Sequence, residues 1–210
     1  MTNVTAILIQ LALLIVSLSV HEAAHAWAST RLGDRTAKDL GRLTLNPLAH
    51  IDWIGTVLFP VIAMSSGAPL LGWAKPVPVD FRNLRHPRRD FALVALAGPV
   101  SNLILASGFA GVFAIIERVH TPDGMMSLPA ILCLQMVSLN VLLAVFNMIP
   151  VPPLDGGNVL AGFAPEPVAR LIDQIRPFGF LLLYALLLTG VLARIARPVQ
   201  EFFLRWLLPI

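Results

Sequence analysis

Residues 4–29 read VTAILIQLALLIVSLSVHEAAHAWAS. As a helix rising 1.5 Å per residue, a run of this length reaches across the roughly 30 Å of hydrocarbon in a bilayer. Its first half is almost wholly apolar, and its second half holds His21, Glu22 and His25. A cleavable signal peptide fits poorly, because no basic region opens the run and ionisable residues interrupt it. The stretch predicts a retained membrane helix with chemistry built into it.

The rest of the chain agrees. Of its 210 residues, 57% are hydrophobic and only 13% charged, where a soluble domain carries about 25% charged residues. Mean hydropathy is +0.78, too apolar for a soluble globule or a disordered chain. One cysteine, Cys133, excludes a disulfide scaffold. The net charge of +3 does not indicate nucleic-acid binding. Nine of the 15 Lys and Arg residues fall in 31–42 and 75–89. Both clusters flank apolar runs and hold between them a single aromatic, Phe81, the pattern of cytoplasmic loops beside a lipid bilayer.

Further spans are expected at 91–116, 128–149 and 178–193. The apolar stretch 51–73 is interrupted by Pro60, Gly67 and Pro69, and 74–90 is basic, Pro-rich and extended. Residues 164–173 read as a short surface helix. From 197 to 210 the chain mixes charged with large apolar residues, as an interfacial tail does. Trp27, Trp53, Trp73 and Trp206 fit interfacial anchoring. With no repeat and no wide linker, residues 1–210 read as one domain.

Within the first span, His21-Glu22-Ala23-Ala24-His25 carries the chemistry. On a helix, residues four apart differ by about 40° in direction and about 6 Å in rise, so the two imidazoles can grip one Zn²⁺. The intervening Glu22 can take a proton from a metal-bound water. A chance HExxH occurs in under ~1% of chains this long, and three ionisable groups inside a span are costly unless they act.

A catalytic zinc needs a third protein ligand. His50, His86 and His120 lie in loops or near span ends. Asp155 alone among the carboxylates sits in an apolar-flanked, proline-broken segment, Asn147-Met-Ile-Pro-Val-Pro-Pro-Leu-Asp155-Gly-Gly. Broken helix at membrane depth is tolerated only against protein or a water-filled cavity, and an active site is such a cavity.

HExxH in a span with a distant N-x-x-P-x-P-x-L-D-G-G resembles the site-2 protease family of intramembrane zinc metalloproteases. Asn46-Pro47-Leu48-Ala49-His50, Gly72-Trp73-Ala74-Lys75-Pro76 and Ala97-Gly98-Pro99-Val100-Ser101-Asn102 also resemble segments of its small bacterial members. The resemblance implies one zinc per chain held by His21, His25 and Asp155, with Glu22 as general base. It implies that Asn147 binds the substrate backbone or the oxyanion, with Asn102 assisting. His50 would orient substrate or polarise the site; the alternative is an interfacial histidine capping the turn after Pro47.

Topology tests this reading. If the basic loop 31–42 is cytoplasmic, the histidines lie about 15 Å below that face at 1.5 Å per residue. Were 51–73 to cross once, Asp155 would emerge on the opposite side. Dipping in and returning keeps 75–89 cytoplasmic and brings Asp155 back to the histidines. The expected fold is therefore an all-α polytopic membrane protein. It is a helical bundle of about 4–6 membrane segments with a re-entrant, partly strand-forming loop at about 51–79. That loop could offer a strand edge to an unfolded substrate, and family members place such a loop after the HExxH helix. One tension remains in this topology. A crossing at 178–193 would leave Arg194, Arg197 and Arg205 on the outer side, against the charge rule.

The expected activity is zinc-dependent hydrolysis of peptide bonds in or near the transmembrane segments of membrane proteins or peptides, in the cell membrane with the active site toward the cytoplasm. Regulated intramembrane proteolysis and clearance of signal-peptide remnants are both compatible. The rivals are an ion or metal pathway through the same residues, and a silent scaffold. Glu22 set between zinc-spaced histidines argues against the first, and the complete set of ligands and base against the second.

Overall fold

A computed structural model describes residues 4–66, 72–119 and 126–208. Helix α1 spans Val4–Leu32 and is followed by a single turn, Thr36–Asp39. Helix α2, Trp53–Ser66, begins as a π-helix and continues as α-helix from Phe59. Then come α3 (Pro87–Val119), α4 (Leu128–Asn147), α5 (Asp155–Phe163), α6 (Glu166–Ile175), α7 (Gly179–Leu188) and α8 (Val191–Leu207). Among the described residues, four helical stretches are long and apolar enough to cross a membrane: Val4–Leu32, Pro87–Glu117, Leu128–Asn147 and Glu166–Leu188. The chain is an all-α multi-pass membrane protein.

Helix α3 packs against α1, α4 and α5. Ala106, Ala110 and Phe113 of α3 meet Ala130, Cys133, Val137, Val141 and Val145 of α4. Small residues let the backbones approach, which is how helices associate where lipid offers no hydrophobic drive. Helix α5 crosses the other end of α3, where Gly162 sits against Ala92. Arg88, at the start of α3, binds the last turn of α5 and the junction between α5 and α6. Its guanidinium donates to the carbonyls of Ala161 (2.7 Å) and Ala164 and to the Glu166 carboxylate (2.8 Å).

Residues 50–56 and 73–75 lie side by side. Asp52 caps α2 by accepting from the N–H groups of Ile54 and Gly55. The two stretches are bonded together, with Trp73 N–H to Gly55 O at 3.1 Å and Lys75 N–H to His50 O at 2.9 Å. Buried Thr56 adds its hydroxyl to Trp73 O at 2.8 Å. No strand occurs among the described residues, which corrects the expectation of a partly strand-forming loop. Residues 73–79 have no regular secondary structure, and their partner is helical from Trp53 onward, whereas a ladder needs two extended partners. Gly67 and Pro69, the expected breaks, lie outside the described residues, as does His120.

The two basic segments lie together. Asp34 accepts from Asp80 N–H and from the Asn83 side-chain amide, both at 3.0 Å, and Arg42 donates to Lys75 O.

At the C-terminal end the expected span at 178–193 is divided. Helix α7 stops at Leu188, and Gly190, at φ +71°, reverses the chain in a left-handed conformation open to glycine. Helix α8 then runs antiparallel to α4. Leu192 packs near Ile149, Gln200 donates to Ser138 O at 3.5 Å, and Leu208 joins the cluster that contains Ala130. Residues expected as an interfacial tail thus form a helix against the bundle. Leu192, Ala196, Phe203 and Leu207 make one apolar face, while Arg194, Arg197, Glu201 and Arg205 are exposed on another.

Candidate metal centre

Three elements meet where α1 passes α3. His21 and His25 share a face of α1, and their Nε2 atoms lie 3.0 Å apart. The carboxylate of Asp155, the first residue of α5, reaches the same point. Its Oδ2 is 3.1 Å from His21 Nε2 and 3.5 Å from His25 Nε2. The approach requires Gly98 on α3, because a Cβ there would lie 2.5 Å from His25 Nε2 and 2.6 Å from His21 Cε1. On the other side, Gly156 and Gly157 back closely onto the 148–152 segment and seat the start of α5.

Proton placement is set by the hydrogen bonds. His25 Nδ1 is 2.8 Å from Val94 O, an acceptor only, so it carries a proton and leaves the Nε2 lone pair free. Pro99 lacks the N–H that would bond the Ala95 carbonyl, which loosens α3 beside Val94. His21 Nδ1 is 2.6 Å from Asn102 Oδ1, so it too carries the proton and presents a bare Nε2. Two nitrogen lone pairs and a carboxylate oxygen therefore face one another, and buried Asp155 Oδ2 has no hydrogen-bond donor. Acceptors gathered in this way repel unless a cation lies among them. Donors at tetrahedral angles, about 2.0–2.1 Å from a zinc ion, would be about 3.3 Å apart, which the separations of 3.0, 3.1 and 3.5 Å match. The donor set of two imidazoles and a carboxylate, with room for a fourth position, suits a catalytic zinc.

Glu22 belongs to the same group, with a ligand atom within 4.8 Å of those of His21 and His25. Its Oε2 accepts from Val77 N–H at 3.2 Å, which ties the 73–79 segment to the site. A cavity of about 390 Å³ opens beside these residues and is walled by Trp73, Val77, Asn147, Phe180 and Tyr184.

The structure brings together His21, Glu22, His25, Asp155 and Asn147. Asn147 lines the cavity, and its amide donates to Leu143 O at 3.0 Å. Asn102 stands behind His21 and is fully buried; its side chain reaches the imidazole rather than a substrate. His50 does not line the cavity. Its ring is buried and Nε2 donates to Thr44 O at 2.9 Å, so it braces the 44–50 turn. Trp73, expected at the interface, packs between Phe59 (5.3 Å between ring centroids) and Phe180 (5.9 Å). Trp27, Trp53 and Trp206 are exposed. Missed altogether was Asn140, a buried amide bonded to Asn102 at 2.8 Å; the available signal was a lone polar residue in an apolar span.

No family model matches the chain, and no solved structure does. Among curated proteins, it is 39% identical over 192 residues to "Putative zinc metalloprotease YwhC" of Bacillus subtilis strain 168, covering 89% of this chain and 83% of that one. It is 30% identical over 179 residues to "Putative zinc metalloprotease Rip2" of Mycobacterium tuberculosis H37Rv, covering 85% of this chain and 66% of the relative. The Rip2 of Mycolicibacterium smegmatis gives 29% over 181 residues, with 86% and 66% covered. Identity of that order along most of both chains, in step with a site folded from the HEAAH and LDGG segments, makes this protein a member of the site-2 protease family.

Proposed function

We propose that the protein is an intramembrane zinc metalloprotease that hydrolyses peptide bonds in or near the transmembrane segments of membrane proteins. The observation that carries this reading is the convergence of three lone-pair donors on one point, with the Asp155 oxygen otherwise unpartnered. Zinc held by His21, His25 and Asp155 would supply Lewis acidity, polarising the scissile carbonyl and acidifying a water. Glu22 takes a proton from the attacking water and delivers it to the leaving amine. The bond from Val77 N–H orients that carboxylate toward the cavity. Asn147, anchored on Leu143 O, is placed to donate to the tetrahedral oxyanion.

A helical substrate hides its carbonyls in hydrogen bonds and must unwind to react. The stretch through Ala74, Pro76, Val77 and Val79 lines the cavity and suits pairing with an unwound peptide. The docked basic segments support a cytoplasmic face at this end, and with it a re-entrant 51–79 segment in the cell membrane. Single-span regulators and signal-peptide remnants are the substrate classes this site fits.

The test is zinc content and cleavage of a transmembrane reporter by detergent-purified protein. Wild type should hold about one zinc per chain, and Asp155→Ala should lose most of it. Glu22→Gln should keep the metal while turnover falls about 10²–10⁴-fold, the usual worth of a general base. Zinc indifferent to Asp155, or cleavage surviving Glu22→Gln, would overturn the assignment.

A further inference from the structure

The two metal-facing histidines have their protons fixed by different means. His25 rests on the Val94 carbonyl, which cannot change role. His21 rests on the side-chain amide of Asn102, which could turn over and offer NH₂ in place of C=O. In the turned state His21 would accept at Nδ1 and carry its proton on Nε2, where zinc needs a lone pair. Something must hold the Asn102 amide in one sense.

We infer that Asn140 and Ser17 are positioning residues that lock Asn102, and through it the metal-binding tautomer of His21. Asn102 Nδ2 donates to Asn140 Oδ1 at 2.8 Å, with a longer contact of 3.5 Å to Ser17 O. Asn140 is oriented in turn, because its Nδ2 donates to Met136 O at 2.9 Å and to Ser17 Oγ at 3.0 Å. The Ser17 hydroxyl donates to Leu13 O at 2.8 Å. The relay thus ends on two backbone carbonyls, Leu13 and Met136, which only accept, and every bond between them and His21 has a single allowed direction. Ser17, Asn102 and Asn140 are all fully buried, so no water substitutes for a missing member. The arrangement joins three helices, with Ser17 on α1, Asn102 on α3 and Asn140 on α4. It costs three polar side chains in a membrane interior, and holding one proton on the right nitrogen explains all three.

This inference rests on the zinc site proposed above. Its test is zinc affinity, measured by competition with a chromogenic chelator on purified, folded protein, in a mutant cycle. Asn140→Leu or Asn140→Ala should weaken zinc about tenfold, toward the lower end of what outer partners of metal ligands contribute. Asn102→Asp has no turned state, because both carboxylate oxygens accept, but it sets one oxygen against Asn140 Oδ1 and should bind zinc no tighter than wild type. In the Asn102→Asp background, either Asn140 substitution should leave zinc binding unchanged or tighten it, because it removes the opposed acceptor and no tautomer lock remains to be lost. Equal weakening in both backgrounds would reduce Asn140 to a packing residue and overturn the inference. No weakening in the wild-type background would overturn it too. Wild type and Asp155→Ala run alongside: absent or Asp155-independent zinc condemns the metal site itself, whereas Asp155-dependent zinc that ignores Asn140 condemns only the relay.

Discussion

At the scale of single residues, what matters most is what is missing from Gly98. The rings of His21 and His25 stand edge to face, with centroids 4.6 Å apart, and α3 passes them at a distance only a residue without Cβ allows. Gly98→Ala should push one ring off the metal, an overpacking strain of about 1–3 kcal/mol, seen as roughly ten- to hundredfold weaker zinc binding. Gly108, in the same helix with nothing within 4 Å of a built Cβ, is the control, and Gly108→Ala should bind zinc as wild type does. The residues singled out in the sequence within HEAAH and LDGG, namely His21, Glu22, His25 and Asp155, all line the cavity, and so does Asn147. Residue identity did not place Asn102 or His50, because which face of a helix a side chain occupies relative to its neighbours is a packing outcome. Asn102 came to rest behind His21, and His50 in the turn that props the 73–79 segment.

Among the elements, α5 has the most demanding position. It is short, Asp155–Phe163, yet it must hold a carboxylate against two imidazoles on another helix. The clamp is Arg88, whose planar guanidinium spreads over two carbonyls and a carboxylate. Arg88→Ala should raise amide hydrogen exchange across 155–164 and lower zinc affinity, with a cost of about 1–2 kcal/mol for charged bonds that are partly exposed. Arg88→Lys should restore little, since one ammonium cannot meet three acceptors in a plane. Unchanged exchange in Arg88→Ala would show that packing of Gly162 on Ala92 alone holds α5. Helices α1, α3 and α4 were legible because each is a long apolar run. The division at Gly190 was not, because hydropathy continues smoothly through 178–193 and a single left-handed residue interrupts the helix without a change in composition.

Across the whole molecule, the site depends on a loop junction at its basic end. Burial opposes ionisation of Asp34, but hydrogen bonds from the Thr36 hydroxyl, the Asn83 amide and the N–H groups of Thr36 and Asp80 outweigh it. They hold its pKa below the ordinary 3.8. A depressed carboxylate pKa contributes stability that is complete above the unfolded value, about 3.9, and is lost as pH falls through the lower folded one. The thermal midpoint of wild type should therefore fall below about pH 4. Asp34→Asn should start lower at neutral pH and show less of that acid loss. Parallel pH profiles for the two proteins would remove Asp34 from the junction.

The sequence by itself determined that this chain is built of membrane-spanning helices and that HEAAH sets two imidazoles on one helix face; the pairing of HEAAH with LDGG came from the family resemblance. The first two are properties of hydropathy, helical spacing and residue type, and they need no neighbours. Only the tertiary structure decided which polar side chains face the metal point and which stand behind it. It also decided that residues 73–79 form no strand, and that α8 lies along α4. Each of these depends on the direction a lone pair or a helix face takes once helices have packed, and that direction is set by partners far away in the chain.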